Sequence, residues 1–212
     1  MMGVLMRGGF LGLPGVETSQ WGGLPLTLLL SVFGLTAAYP LGVLLALGRQ
    51  SRMPAIKMLC VVYIELIRGV PLISLLFMGS IILPLFLPEG VTIGQILRAQ
   101  IAIIMFTAAY IAEVVRGGLQ AMPRGQYEAA DSIGLSYFLT MRLIILPQAL
   151  KIVIPPTVSI LISAFKDTSL VVIIALWDLL KTSQAVLSDP EWMGFSREVY
   201  LFVAILYFLG CF

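Results

Sequence analysis

The stretch that decides the fold runs from residue 116 to residue 147. It reads Arg116-Gly-Gly-Leu-Gln-Ala-Met-Pro123, then Arg124-Gly-Gln-Tyr-Glu128-Ala-Ala-Asp-Ser-Ile-Gly134, then Leu135-Ser-Tyr-Phe-Leu-Thr-Met-Arg-Leu-Ile-Ile-Leu-Pro147. It is too polar to cross a bilayer and too patterned for a floppy loop. Pro123 and Gly125 punctuate its start. Residues 126–133 have helix-forming character around Glu128, Ala129 and Ala130. Gly134 supplies a turn without steric cost. Ser136 is placed to cap a second short helix, and Pro147 discourages helix at Leu146 and so marks its end. The expectation is two short helices hinged at Gly134, a compact projection. Its two alanines permit close approach to another surface, and Glu128 and Asp131 are its acids. Ile133, Phe138, Met141 and Ile145 are expected to anchor it against neighbouring helices.

On either side of this stretch the chain is strongly apolar. Hydrophobic residues make up 59% of the 212 residues and charged residues 11%, against about 25% charged in an ordinary soluble domain. A soluble chain of this composition could not cover its surface with polar groups, so lipid must solvate much of it. At roughly 20 apolar residues per crossing, five spans are expected. They lie near 24–47, 56–86 (with Pro71 as a kink), 96–115, 150–165, and from 199 to where the sequence stops at 212, cutting the last span short. A shorter apolar stretch, 170–180, follows the fourth. The organisation expected is an N-terminal periplasmic or interfacial segment, 1–23, and one transmembrane domain, 24–212, with its polar segment at about 123–147.

Basic residues orient such a chain. Arg49, Arg52 and Lys57 follow the first span, and Arg116, Arg124, Arg142 and Lys151 lie between the third and fourth. The opposite side carries Glu17, Glu89, Asp178, Asp189, Glu191 and Glu198 with Arg7, Arg98, Lys181 and Arg197. The 116–151 segment is therefore expected in the cytoplasm, with the N-terminus outside and the C-terminus inside.

Several chemistries are disfavoured. The chain contains no His, which removes the usual general base and the commonest metal ligand. Cys60 and Cys211 sit far apart in apolar runs without metal-ligand spacing, so no metal and no catalytic residue is expected. A net charge of +2 is too small to suggest nucleic acid. Residues 1–23 lack the pattern of a signal peptide. No GxxxxGK[ST] loop is present to cradle ATP, nor a GxSxG or HExxH motif.

Charges within spans are expensive and need a partner or a task. Glu65 and Arg68 stand three apart on one helical face, which suits either a self-neutralising pair or substrate contact. Glu113 and Arg116 repeat the spacing at the end of the third span, as a structural pair or a gate. Lys166-Asp167-Thr168-Ser169 forms a polar break after the fourth. Transporters place binding sites at such breaks, the alternative being a structural cap. A zwitterionic substrate needs a cation or helix N-terminus for its carboxylate and an anion for its ammonium. Lys166 or Arg68 suits the first role, and Asp167 or Glu65 the second.

Glu128-Ala129-Ala130, Gly134, Phe138, Leu146 and Pro147 resemble the EAA loop of ABC importer permeases. Further stretches resemble the polar amino-acid branch of that family. These are Tyr63-Ile-Glu-Leu-Ile-Arg-Gly-Val-Pro71, Tyr110-Ile-Ala-Glu-Val-Val-Arg-Gly-Gly118, Gly125-Gln-Tyr-Glu-Ala-Ala130 and Lys166-Asp-Thr-Ser-Leu170. Trp21-Gly-Gly-Leu-Pro-Leu-Thr27 and Leu83-Pro-Leu-Phe-Leu-Pro-Glu-Gly90 are more particularly similar to the M-type permease of general L-amino-acid transporters. That type usually has more chain before this point and a few polar residues after the last span. The resemblance implies an all-α membrane protein with five transmembrane helices in the type I importer (MetI-like) arrangement, in the bacterial inner membrane. It implies a permease subunit without ATPase activity of its own, with ATP and magnesium held by a partner. Implied partners are a Q-type second permease, two ATP-binding subunits and a periplasmic or extracellular amino-acid-binding protein, with an L-amino acid as substrate. The coupling residues so implied are Gly125, Glu128, Ala129, Ala130, Asp131, Gly134, Phe138 and Pro147. The rival is a self-contained secondary transporter or channel, which would need no docking segment.

Overall fold

A computed structural model of the chain describes residues 22–88 and 90–212. The N-terminal segment 1–21, with Arg7 and Glu17, and the single residue Glu89 lie outside the described residues.

The described chain is helical almost throughout. Helix α1 spans Gly23–Arg49, α2 Pro54–Arg68, α3 Leu72–Phe77 and α4 Leu83–Leu85. They are followed by α5 at Gln95–Gln120, α6 at Arg124–Ser132, α7 at Tyr137–Thr140 and α8 at Leu146–Ile152. The last three are α9 at Ile154–Asp167, α10 at Leu179–Val186 and α11 at Ser196–Cys211. Among the described residues, three helical stretches are long and apolar enough to cross a bilayer: Gly23–Arg49, Gln95–Gln120 and Ile154–Ile174. They match the first, third and fourth expected spans. α11, 16 residues long, lies where the fifth is expected.

The second expected span is not one rod. α2 and the Leu72–Leu85 stretch are separated by a break. Arg68 ends α2, and the Gly69 N–H bonds the Glu65 carbonyl. Pro71, in extended conformation with φ −60° and ψ 145°, then opens α3. A proline disfavours the helical conformation in the residue before it and offers no N–H. The chain therefore leaves one helix and starts another rather than kinking within one.

Two prolines further on are absorbed differently. Ile81-Ile-Leu-Pro84 and Ile144-Ile-Leu-Pro147 are the same tetrapeptide, and a π-helical turn leads into each, at Met78–Ile82 and Met141–Ile145. A proline cannot bond the carbonyl four residues back and its ring crowds that oxygen. Widening the preceding turn relieves the crowding, and Leu83 N–H and Leu146 N–H reach back five residues, to Met78 and Met141. The expectation that Pro147 ends a helix is thereby corrected. It sits in the first turn of α8, which runs on to Ile152.

The described residues divide into two compact units, and their boundary falls inside α1, α5 and α9. Residues 36–69 and 105–161 form one unit. Its core holds Ile64, Ile111, Val115, Leu119, Ile145 and Val153. α5 meets α8 so closely that a Cβ at Gly118 would stand 2.4 Å from Val153 Cγ1 and 2.8 Å from the Ala149 carbonyl oxygen. Small residues at such crossings let backbones approach where lipid provides no hydrophobic drive for association.

The other unit comprises the described residues of 22–35, 70–104 and 162–212. Here Thr168–Ile174 is a 3₁₀ helix continuing α9, packed on α3. It ends at Ala175, which takes φ +60°. The apolar stretch after the fourth span is therefore not one helix. Trp177 and Asp178 (β1) bridge in parallel to Gly22 and Gly23. Asp178 caps α10, accepting from Leu180 N–H at 3.1 Å and Lys181 N–H at 3.0 Å. The Tyr207 hydroxyl donates to the same carboxylate at 3.1 Å. Asp178 is 1% exposed, so it serves packing rather than the open charge of the outer side.

Candidate functional site

The polar segment begins where Pro123, extended at φ −60° and ψ 138°, opens α6. α6 carries Gly125, Glu128, Ala129, Ala130 and Asp131 and closes on Gly134 at φ +74°. Leu135 N–H bonds the Ala130 carbonyl at 3.1 Å, and Gly134 N–H bonds that of Asp131 at 3.0 Å. This pair of bonds is the Schellman closure, which requires the left-handed backbone that glycine adopts freely. Ser136 then caps α7, its hydroxyl accepting from Leu139 N–H at 3.5 Å. The two short helices and the glycine hinge are as the sequence suggests.

One face of the segment is pinned and the other open. Ala130 is fully buried and α6 packs on the π-turn Met141–Ile145. Gln148 Nε2 donates to Gln126 Oε1 at 3.2 Å, tying α8 to α6. Met141 and Ile145 are buried as anchors. Ile133 and Phe138 are not; they are 72% and 66% exposed, which corrects their expected anchoring role. Gly125, Glu128, Ala129, Asp131 and Gly134 are exposed as well. An apolar pair is thus presented outward beside Glu128 and Asp131. Burial within α6 holds the Tyr127 hydroxyl above its usual pKa, and neighbouring Tyr137 adds to the shift, so Tyr127 is neutral at physiological pH.

In the same unit the intramembrane charges gather around one carboxylate. Glu113 lies 2.5 Å from Arg49 Nη1, 2.9 Å from Arg116 Nη2 and 3.5 Å from Arg68 Nη1. Arg49 also reaches Glu65 at 3.0 Å, and Arg116 continues to Gln120 Oε1 at 2.8 Å. The Arg68 guanidinium stands 5.5 Å over the Tyr110 ring, a cation–π distance. The expected pairing of Glu65 with Arg68 is corrected: Glu65 takes Arg49, and Arg68 takes Glu113. Glu113 and Arg116 do pair with each other. The cluster joins the ends of α1, α2 and α5 and holds three guanidiniums against two carboxylates, leaving one positive charge in excess. Arg49, the one arginine that reaches both carboxylates, is the partner that the spacing along the helices does not reveal. It stands 64 positions from Glu113, and the available signal was that each carboxylate within a span needs a cation.

The polar break of residues 166–169 lies in the other unit and stays helical. Lys166 and Asp167 end α9 and Thr168 opens the 3₁₀ stretch. Thr168 is fully buried and donates to the Phe165 carbonyl at 2.7 Å. Lys166 is exposed, and Asp167 and Ser169 are half-buried. Among the described residues Asp167 has neither an ion-pair nor a hydrogen-bond partner. Sequence reasoning also passed over Arg98 as a partner of the broken span. Pro84 has no N–H to offer the Ser80 carbonyl, and the Arg98 guanidinium donates to it instead. The side-chain oxygen of nearby Gln100 is buried without a partner.

The model of the family described as binding-protein-dependent transport system inner membrane component matches residues 38–212. The chain is 56% identical to the inner membrane amino-acid ABC transporter permease protein YhdY of Escherichia coli, over 98% of this chain and 57% of that one. It is 54% identical to the glutamate/glutamine/aspartate/asparagine transport system permease protein BztC of Rhodobacter capsulatus, over 94% of this chain and 46% of that one. The chain thus spans about half the length of these curated relatives. Among solved structures, an amino acid ABC transporter crystallised with histidines superposes with a TM-score of 0.76 at 33% identity, covering 89% of this chain and 86% of that one. The inward-facing MetNI methionine ABC transporter superposes at 0.61 with 21% identity, over 87% of this chain and 85% of that one, a likeness of fold.

Proposed function

The chain belongs to the binding-protein-dependent transport system inner membrane components, and from that premise we propose that it is the permease part of an ATP-driven importer of L-amino acids. Residues 24–212 act as one transmembrane domain that forms part of the pathway and does not itself hydrolyse ATP. Energy comes from two ATP-binding subunits, which hold ATP and magnesium. Substrate comes from a soluble amino-acid-binding protein on the outer side, and a second, Q-type permease completes the pathway. The 116–151 side faces the cytoplasm and the N-terminus lies outside.

The observation that carries this reading is the half-pinned, half-open segment of α6 and α7. A self-contained transporter or channel has no use for an outward-facing Glu128, Ala129, Asp131 and Phe138 on a rigid, capped projection. A subunit that must transmit motion from a partner does. Closure of the ATP-binding subunits around ATP moves the docked projection as a rigid body, and the helices fixed to it by Ala130, Gln148 and Met141 follow. The pathway then switches from inward- to outward-facing. Glu113 with its three arginines serves as a gate or structural clamp. Lys166, Asp167, Thr168 and Ser169, with Glu65 and Arg68, are candidates for the substrate path.

The test is docking. Ala129→Cys, on the exposed face of α6, is paired with single cysteines scanned over the ATP-binding subunit in membranes. Rapid disulfide formation confined to one groove supports the reading. No cross-link at any position contradicts it.

A further inference from the structure

Beside the projection, within the same unit, lies a cavity of about 440 Å³ lined by Leu47, Ser51, Arg52, Met53, Tyr137, Phe138, Met141, Arg142 and Leu146. Its floor is apolar: Met141 is 7% exposed, and Leu47 and Leu146 are half-buried. Its rim carries two guanidiniums. Arg52 lies 5.8 Å over the Tyr137 ring, and Arg142 projects from the π-turn that accommodates Pro147. Among the described residues neither arginine has a carboxylate within ion-pair distance, while Arg49, Arg68 and Arg116 all do. Met53, Tyr137 and Phe138 remain exposed around the opening.

We propose that this cavity binds an anionic phospholipid of the cytoplasmic leaflet, its phosphate held between Arg52 and Arg142 and an acyl chain in the Leu47–Met141–Leu146 floor. Charge complementarity selects the occupant. Two cations without a carboxylate partner among the described residues, at the mouth of an apolar cavity, match a ligand that is anionic at one end and apolar at the other. The floor residue Leu47 belongs to a helix long and apolar enough to span the bilayer, and the rim residue Arg52 to the connector just beyond it. Basic pockets between transmembrane helices on that side take anionic headgroups. An inorganic anion would satisfy the arginines and leave the floor open to water. The site would make the projection's position sensitive to membrane composition, because Tyr137 and Phe138 belong both to the cavity wall and to α7.

This inference rests on the cytoplasmic placement proposed above, which is read separately. Ser51→Cys, in a background with Cys60 and Cys211 replaced by Ser, is labelled with an impermeant maleimide in intact and in permeabilised cells. Labelling only after permeabilisation places the rim inside; labelling of intact cells would refute that placement and, with it, the assignment to the cytoplasmic leaflet.

The binding test uses the whole complex in detergent, equilibrated with dioleoyl-phosphatidylglycerol or dioleoyl-phosphatidylcholine and read by native mass spectrometry. The intact protein retains phosphatidylglycerol in preference to phosphatidylcholine. Each guanidinium contributes about fivefold near an anionic surface, so the pair Arg52→Gln and Arg142→Gln loses about 25-fold. Met53→Asp, at the exposed rim and harmless to packing, also loses phosphatidylglycerol and covers the case in which the glutamine pair does not assemble. Equal retention of the two lipids, or retention unchanged in these variants, overturns the proposal. So does displacement of the lipid by millimolar inorganic phosphate, which would mark a plain anion site. Loss of the ATP-binding subunit from the glutamine pair with lipid retention intact also overturns it, assigning the cavity to protein docking.

Discussion

Replacing Glu113 with Gln keeps the volume and removes the charge on which three arginines converge. A unit-charge pair about 4 Å apart near a protein surface interacts by about 4 kcal/mol before desolvation is counted. Breaking a buried pair costs about 3–5 kcal/mol, and breaking an exposed one about 0.2–1 kcal/mol. The Glu113 side chain is 14% exposed, and those of Arg49, Arg68 and Arg116 are 21%, 34% and 30% exposed. The cluster therefore sits between these limits, and the expected loss is about 2–3 kcal/mol. For a chain of this size each kcal/mol lowers Tm by about 2–4 °C, so the assembled complex should melt about 5–10 °C lower at fixed protein and lipid concentration. A double-mutant cycle locates the effect. Arg49 joins α1 to α5, whereas Arg116 is a neighbour three residues along the same helix, where pairs contribute about 0.2–0.5 kcal/mol. The Arg49–Glu113 coupling energy should exceed that of Arg116–Glu113 by at least about twofold. A Tm within about 1 °C of wild type, or equal couplings, would refute the view that this cluster clamps three helices.

Gly118→Ala forces a methyl against Val153 Cγ1 and the Ala149 carbonyl oxygen and should destabilise by about 1–3 kcal/mol in a thermal melt. Adding Val153→Ala should restore only part of this, since the carbonyl cannot be trimmed; full rescue would mean that the side chain alone makes the contact. Asp167→Asn should lower amino-acid uptake in proteoliposomes more than it lowers complex yield. Wild-type uptake by a well-assembled Asp167→Asn complex would remove Asp167 from the substrate path.

Much of this molecule is legible in one sequence because its decisive signals are local. Apolar length marks α1, α5 and α9, and Pro123, Gly134 and Ser136 fix α6 and α7 through backbone geometry within a few residues. What escaped depends on distance or on backbone adjustment. Arg49 finds Glu113 across 64 positions, and no spacing rule along one helix reveals that Glu65 prefers Arg49 to Arg68. Pro147 was expected to stop a helix, yet a π-turn absorbs it, as another absorbs Pro84. The outward turn of Phe138 and Ile133 also escaped. Apolar character predicts burial, and these two are exposed instead; on the function proposed above, they await the surface of a partner.

The central claim is that the segment from Glu128 to Phe138 transmits ATP-driven motion from a separate subunit. It is tested most directly by measuring, in one reconstituted preparation, ATP hydrolysis and amino-acid uptake by the Glu128→Ala complex with and without substrate-loaded binding protein. The Glu128→Ala complex should still assemble, but substrate should no longer stimulate hydrolysis in step with uptake. Stimulation and uptake both at wild-type levels would contradict it.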